Sequence, residues 1–148
     1  MLILAVVTIV SIGLMIGAEF AVSAFISPIL WKLVEPARSQ AVGLFAQKLG
    51  AVMPFWYSAN FLLLIAETIL LRHSAVFALL AFAVGIWAAV IVLTLIFLVP
   101  INNRLIRHDT GFTSDEAHRQ HRHWDTMHRA RVIALVVAFV LFLLAARL

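Results

Sequence analysis

Four long apolar runs dominate this sequence, at about 2–26, 55–71, 75–99 and 132–146. A helix crossing the hydrocarbon core of a bilayer needs roughly 20 such residues. In lipid, every backbone N–H and C=O must be satisfied within the protein, which leaves only helices and closed β-barrels. A barrel strand reads as an alternating segment of about ten residues, whereas these runs are continuously apolar. The expected fold is all-α: an integral membrane four-helix bundle, read as one four-span domain over 1–148. Composition agrees, because 64% of the residues are hydrophobic and 12% charged. Soluble domains carry about 25% charged residues.

The first run lacks the basic opening of a signal peptide and exceeds the length of its apolar core. It is expected to remain as a mature helix. No cysteine is present, which excludes disulfides, thiolate metal ligands, iron–sulfur clusters and a cysteine nucleophile. The net charge of +4 does not indicate nucleic acid, because the basic residues sit between apolar runs. Lys32, Arg38, Lys48, Arg104, Arg107, Arg119, Arg122, Arg129 and Arg131 fall after spans one and three, and only Arg72 and Arg147 fall on the opposite side. The positive-inside rule then puts the two long loops in the cytoplasm and both termini outside. With no organelle signal in view, the expected membrane is the bacterial inner membrane.

The loops carry helical signals of their own. Pro36 suits a first helical turn, and Val42, Phe45, Leu49 and Val52 then share one face. A short amphipathic helix over 37–52 is expected to lie at the cytoplasmic surface. In the second loop, Thr113, Ser114, Asp115 and Glu116 resemble a capping box. With no proline or glycine beyond them, a long fourth helix is expected to run unbroken from about Asp115 through the last span. It would protrude into the cytoplasm.

Charge within a span costs about 2.5–3.5 kcal/mol per residue and marks candidate sites. Glu19 lies about eight residues from the expected inner end of span one, or roughly 12 Å. On span two, Trp56, Tyr57, Asn60 and Glu67 fall within about 100° of arc, which should face the bundle interior. On the fourth helix, His118, His121, Asp125 and His128 fall within roughly 80° of arc. Imidazole and carboxylate at that spacing can ligate copper, iron or zinc; the alternative is a solvated face on a protruding helix. The stripe spans about 15 Å, so His121, Asp125 and His128 are the compact ligand set, with His118 an outer member. Glu19 and Arg131 can form a structural ion pair or part of a site. Glu67 either snorkels to the outer interface or is carried protonated. Bis-histidine haem is disfavoured, since the histidines do not face one another across the spans.

At these residues the chain resembles the anthrone oxygenase family of small four-helix membrane proteins. The resemblance rests on GAEFAV at 17–22 with Pro28, VMPFWY at 52–57, VPINNRL at 99–105 and WDTMHRAR at 124–131. One motif falls near the inner end of each span, so it covers nearly the whole chain. It implies an oxidoreductase that uses dioxygen to convert an anthrone to an anthraquinone. It also implies His128 or Glu19 as base, and Arg131 with Asn102 or Asn103 as stabilisers of an oxyanion. Trp56, Tyr57, Asn60 and Trp124 would border a flat lipophilic substrate. His118 and His121 are not part of the family's pattern and leave a metal-assisted variant open.

Two other functions fit the same residues. An intramembrane glutamate can couple proton movement to export of a small molecule, although no inverted repeat is visible. The chain can also serve as a structural or accessory subunit, or a homo-oligomer, because Gly13 and Gly17 form a small-xxx-small pair suited to close helix packing.

Overall fold

The computed structural model describes residues 2–34, 36–106 and 114–147; the side chains at 102, 104–106, 114–118, 120, 121 and 147 lie outside that description. The described chain is all-helical, with four helices long and apolar enough to cross a membrane. The protein is an integral membrane protein. Helix α1 comprises Leu2–Ala21, a widened π-type turn at Val22–Ile26, and Ser27–Leu30. Helix α2 is Ala37–Leu70. Helix α3 comprises Phe77–Leu93, a second widened turn at Thr94–Leu98, and Val99–Ile106. Helix α4 is Ser114–Arg147.

Sequence neighbours are spatial neighbours. Helix α1 packs on α2, α2 on α3 and α3 on α4, and α4 returns to α1. Consecutive spans run in opposite directions, so the bundle has a terminal end, carrying the 71–76 turn, and a basic end, where α1 and α3 finish and α2 and α4 begin. Ile12, Met15, Leu64, Leu80, Ala83, Trp87, Leu135, Ala138 and Phe142 fill the centre. Phe20, Phe25, Leu62 and Phe82 point outward. Outward phenylalanines would be a liability in water and are ordinary against lipid.

The long fourth helix is as expected from the uninterrupted sequence after Ser114. The amphipathic stretch over 37–52 is helical too, but it is not a separate surface element. It is the first part of α2, which continues through Pro54. Proline removes one backbone donor and opens one turn, and spans tolerate this where side chains re-satisfy the backbone. The acceptor freed here is the Gly50 carbonyl; one turn further on, Ser58 Oγ back-bonds to the Pro54 carbonyl at 2.8 Å, a contact that bends helices. Helix α1 also runs past its expected end at 26 to Leu30. Glu19 therefore lies deeper than the apolar run suggests, roughly 16 Å from the end of the helix. Of the glycine pair, Gly13 faces α4, where an added Cβ would meet Phe139 at 3.8 Å, and Gly17 faces open space.

Candidate functional site

Four side chains from three helices meet in the basic half of the bundle. Glu19 of α1 is 3% exposed and His128 of α4 is 1% exposed. Tyr57 Oη of α2 donates to Glu19 Oε1 at 2.9 Å. Arg131 Nη2 of α4 donates to Glu19 Oε2 at 2.6 Å. The same guanidinium nitrogen reaches His128 Nδ1 at 2.8 Å, and His128 Nε2 reaches the Glu19 backbone carbonyl at 3.1 Å. Each helix contributes what its position allows. His128 and Arg131 are three residues apart and share one face of α4. Glu19 precedes the widened turn at Val22–Ile26, a local irregularity common at functional sites.

These contacts assign the imidazole. Guanidinium can only donate and a carbonyl can only accept. His128 must therefore accept at Nδ1 and donate from Nε2, which is the neutral Nε2–H tautomer. The 3.5 Å approach of Nδ1 to Glu19 Oε2 is then a close contact rather than an ion pair. The ion pair of the cluster is Arg131 with Glu19.

Aromatic rings wall the cluster. Trp124 stacks parallel on His128, with centroids 4.7 Å apart and planes 8° from coplanar. The Arg131 guanidinium lies over Tyr57, 5.6 Å from its centroid, a cation–π geometry. Trp87 of α3 sits 6.0 Å from the Tyr57 ring and donates its indole N–H to the Tyr57 carbonyl at 3.2 Å. Arg131 Nε is buried without a hydrogen-bond partner among the described residues. A charged donor so placed is free to meet an acceptor brought by a ligand.

Other expected site residues fall elsewhere. Asn60 is fully buried, but in a second network nearer the bundle centre. It accepts from Ser11 Oγ at 2.6 Å and its amide faces Met15 Sδ at 3.3 Å. Trp56 donates its indole N–H to the same Ser11 Oγ at 3.1 Å. Asn60 and Trp56 thus tie α2 to α1 and do not join Glu19. Asn103 is exposed, and the Asn102 side chain lies outside the described residues. So do the side chains of His118 and His121, which leaves Asp125 and His128 of the expected ligand set. Asp125 Oδ2 pairs with Arg129 at 2.8 Å, and both His128 nitrogens are engaged as above. Among the described residues, no three histidine or carboxylate side chains are grouped to hold a metal ion. Ser11, Met15 and Trp87 carry no signal as sequence, because each reads as ordinary span filling.

The anthrone oxygenase family model matches residues 31–141. That stretch contains Tyr57, Trp124, His128 and Arg131 and excludes Glu19. No curated protein and no solved structure matches the chain.

Proposed function

The chain belongs to the anthrone oxygenase family, and from that premise we propose that it is a membrane oxidoreductase of the oxygenase type. Its substrate is a lipophilic aromatic ketone bearing an acidic CH2, of which anthrone is the model. The observation that carries this reading is the Glu19–Tyr57–His128–Arg131 cluster, with Arg131 Nε buried and unpartnered among the described residues.

The chemistry divides between two groups. The substrate carbonyl oxygen accepts from Arg131 Nε, a preorganised donor that stabilises the enolate as negative charge moves onto that oxygen. Glu19 is a better base than His128 in this geometry. The Nδ1 lone pair of His128 is already taken by Arg131. A carboxylate has about four acceptor positions, and Glu19 uses one for Tyr57 and one for Arg131. Glu19 removes the CH2 proton, and the resulting carbanion couples to dioxygen, forming a C–O bond as oxygen is reduced to a peroxide anion. The peroxide anion takes a proton. Loss of the second C–H proton then breaks the O–O bond, leaving a quinone carbonyl and water. The sum is anthrone plus dioxygen to anthraquinone plus water. In this reading the whole chain acts as one four-span unit, with the basic end in the cytoplasm.

The test is oxygen uptake by detergent-purified protein supplied with anthrone. Removing one preorganised donor costs about 10²–10³ in rate. Arg131→Lys, which keeps the charge and loses the Nε donor, should fall by that order. Glu19→Gln should fall at least as far while still folding. If Glu19→Gln consumes oxygen as fast as wild type, the cluster is a structural clamp between α1 and α4 and the catalytic assignment fails.

A further inference from the structure

Helix α2 is loosened in the turn that carries Tyr57. Pro54 brings no N–H to the helical ladder, and the Ser58 bond back to the Pro54 carbonyl at 2.8 Å bends the helix further. Two indole N–H groups hold this turn from outside. Trp56 Nε1 reaches across to Ser11 Oγ of α1 at 3.1 Å. Trp87 Nε1 of α3 donates to the Tyr57 carbonyl at 3.2 Å. A carbonyl oxygen has two lone pairs, so it can take this bond beside its helical one. Trp87 is fully buried, and its ring lies 6.0 Å from the Tyr57 ring at 49°. The indole therefore meets Tyr57 twice, at the backbone and at the ring.

Tyr57 in turn holds the carboxylate of Glu19. The last torsion of a glutamate side chain is broad, so a single donor leaves the carboxylate free to turn. Arg131 holds Oε2 at 2.6 Å and Tyr57 Oη holds Oε1 at 2.9 Å. Two donors on two oxygens fix the carboxylate plane, and with it the direction of the remaining lone pairs. The second donor is only as well placed as the loosened turn that carries it. We propose that Trp87 is a positioning residue for Glu19: its N–H fixes the Tyr57 turn, and the Tyr57 phenol then sets the plane of the carboxylate. Trp87 acts through Tyr57 alone. Glu19 as a base rests on the functional reading above; the chain of contacts that aims it does not.

The experiment pairs infrared difference spectroscopy with anthrone-driven oxygen uptake, both on the full-length protein in detergent. The carboxylate stretch of Glu19 is identified by its loss in Glu19→Gln, and Tyr57→Phe should displace it. At position 87, 3-benzothienylalanine replaces the indole N–H with sulfur and keeps the shape of the ring. That substitution should displace the Glu19 band in the same direction as Tyr57→Phe, and so should Trp87→Phe. Misplacing a group by about 1 Å can cost about a hundredfold in rate, so kcat should fall by about ten- to a hundredfold. KM should stay within about twofold, as for an interaction used only in the transition state. Adding Trp87→Phe to Tyr57→Phe should cost less than about twofold more, because the route to Glu19 is already cut. Phe142→Leu truncates another buried ring of the core and should leave the band in place, which separates positioning from general loosening.

An unmoved band and wild-type kcat in the benzothienyl protein overturn the proposal. So do losses that multiply in the double variant, or a band displaced equally by Phe142→Leu. The band reports without turnover. If wild type takes up no oxygen while the band still moves with Trp87, the positioning stands and the oxygenase reading falls; uptake with an unmoved band does the reverse.

Discussion

Glu19 and Glu67 are both 3% exposed, and the chain treats them in opposite ways. Glu19, in the basic half, receives Tyr57 on one oxygen and Arg131 on the other, and its own backbone carbonyl holds His128. Glu67, near the terminal end of α2, has Oε1 buried with no partner among the described residues. Burial alone therefore does not mark a working carboxylate. A charge fixed by a phenol and a guanidinium has a defined position and can be aimed. A carboxyl with an orphaned oxygen costs stability and is not aimed by a pair of donors among the described residues. The basic half is built as a polar site, and the terminal half is a lipid-facing bundle in which Glu67 is the unmet carboxyl among the described residues.

The largest test of that contrast removes one partner of the ion pair. Taking away one member of a buried pair costs about 3–5 kcal/mol, because the other charge stays buried and uncompensated. Arg131→Met should lower unfolding stability in mixed micelles by that amount, and Glu19→Ala similarly. The double variant Glu19→Ala with Arg131→Met should cost clearly less than the two singles added. Additive losses in the cycle would mean that the two groups act independently. The contrast with Glu67 would then lose its basis.

A smaller effect is expected at the second network. Asn60→Leu removes the Ser11 and Met15 contacts and leaves the Ser11 hydroxyl with Trp56 alone. Interhelical hydrogen bonds within membranes average about 0.6 kcal/mol and reach about 1.7 kcal/mol. A loss within that range, with anthrone turnover kept within a few-fold, would place Asn60 among the struts. A loss of turnover as deep as that of Arg131→Lys would put Asn60 back in the site.

Much of this arrangement is legible in the amino-acid sequence. Four spans follow from apolar run length, because lipid permits little else. Glu19, Tyr57, His128 and Arg131 can be gathered by depth and helical face, since charge inside a span must find company. Asn60 and Trp56 cannot be separated from them in that way. Both share Tyr57's arc, and their partners Ser11 and Met15 lie in a span that looks uniformly apolar. The continuity of α2 through Pro54 is hidden because a proline stops a helix in water more firmly than in lipid. The bond from Trp87 to the Tyr57 carbonyl is hidden too, because Trp87 reads as ordinary span filling.

The smallest expected change is at Glu67, and its sign carries the argument. Replacing an unsatisfied buried polar group with an apolar one of similar shape is close to neutral or stabilising. Glu67→Leu should therefore leave unfolding stability within about 1 kcal/mol of wild type or raise it, and leave anthrone turnover unchanged. Glu67→Gln separates charge from shape, because glutamine keeps the volume and a polar end. If leucine is tolerated and glutamine is no better, the carboxyl does no structural work. If Glu67→Leu instead costs as much as Glu19→Ala, the terminal half holds a second anchored carboxyl. The bundle would then be polar at both ends, and the division drawn from Glu19 and Glu67 would be wrong.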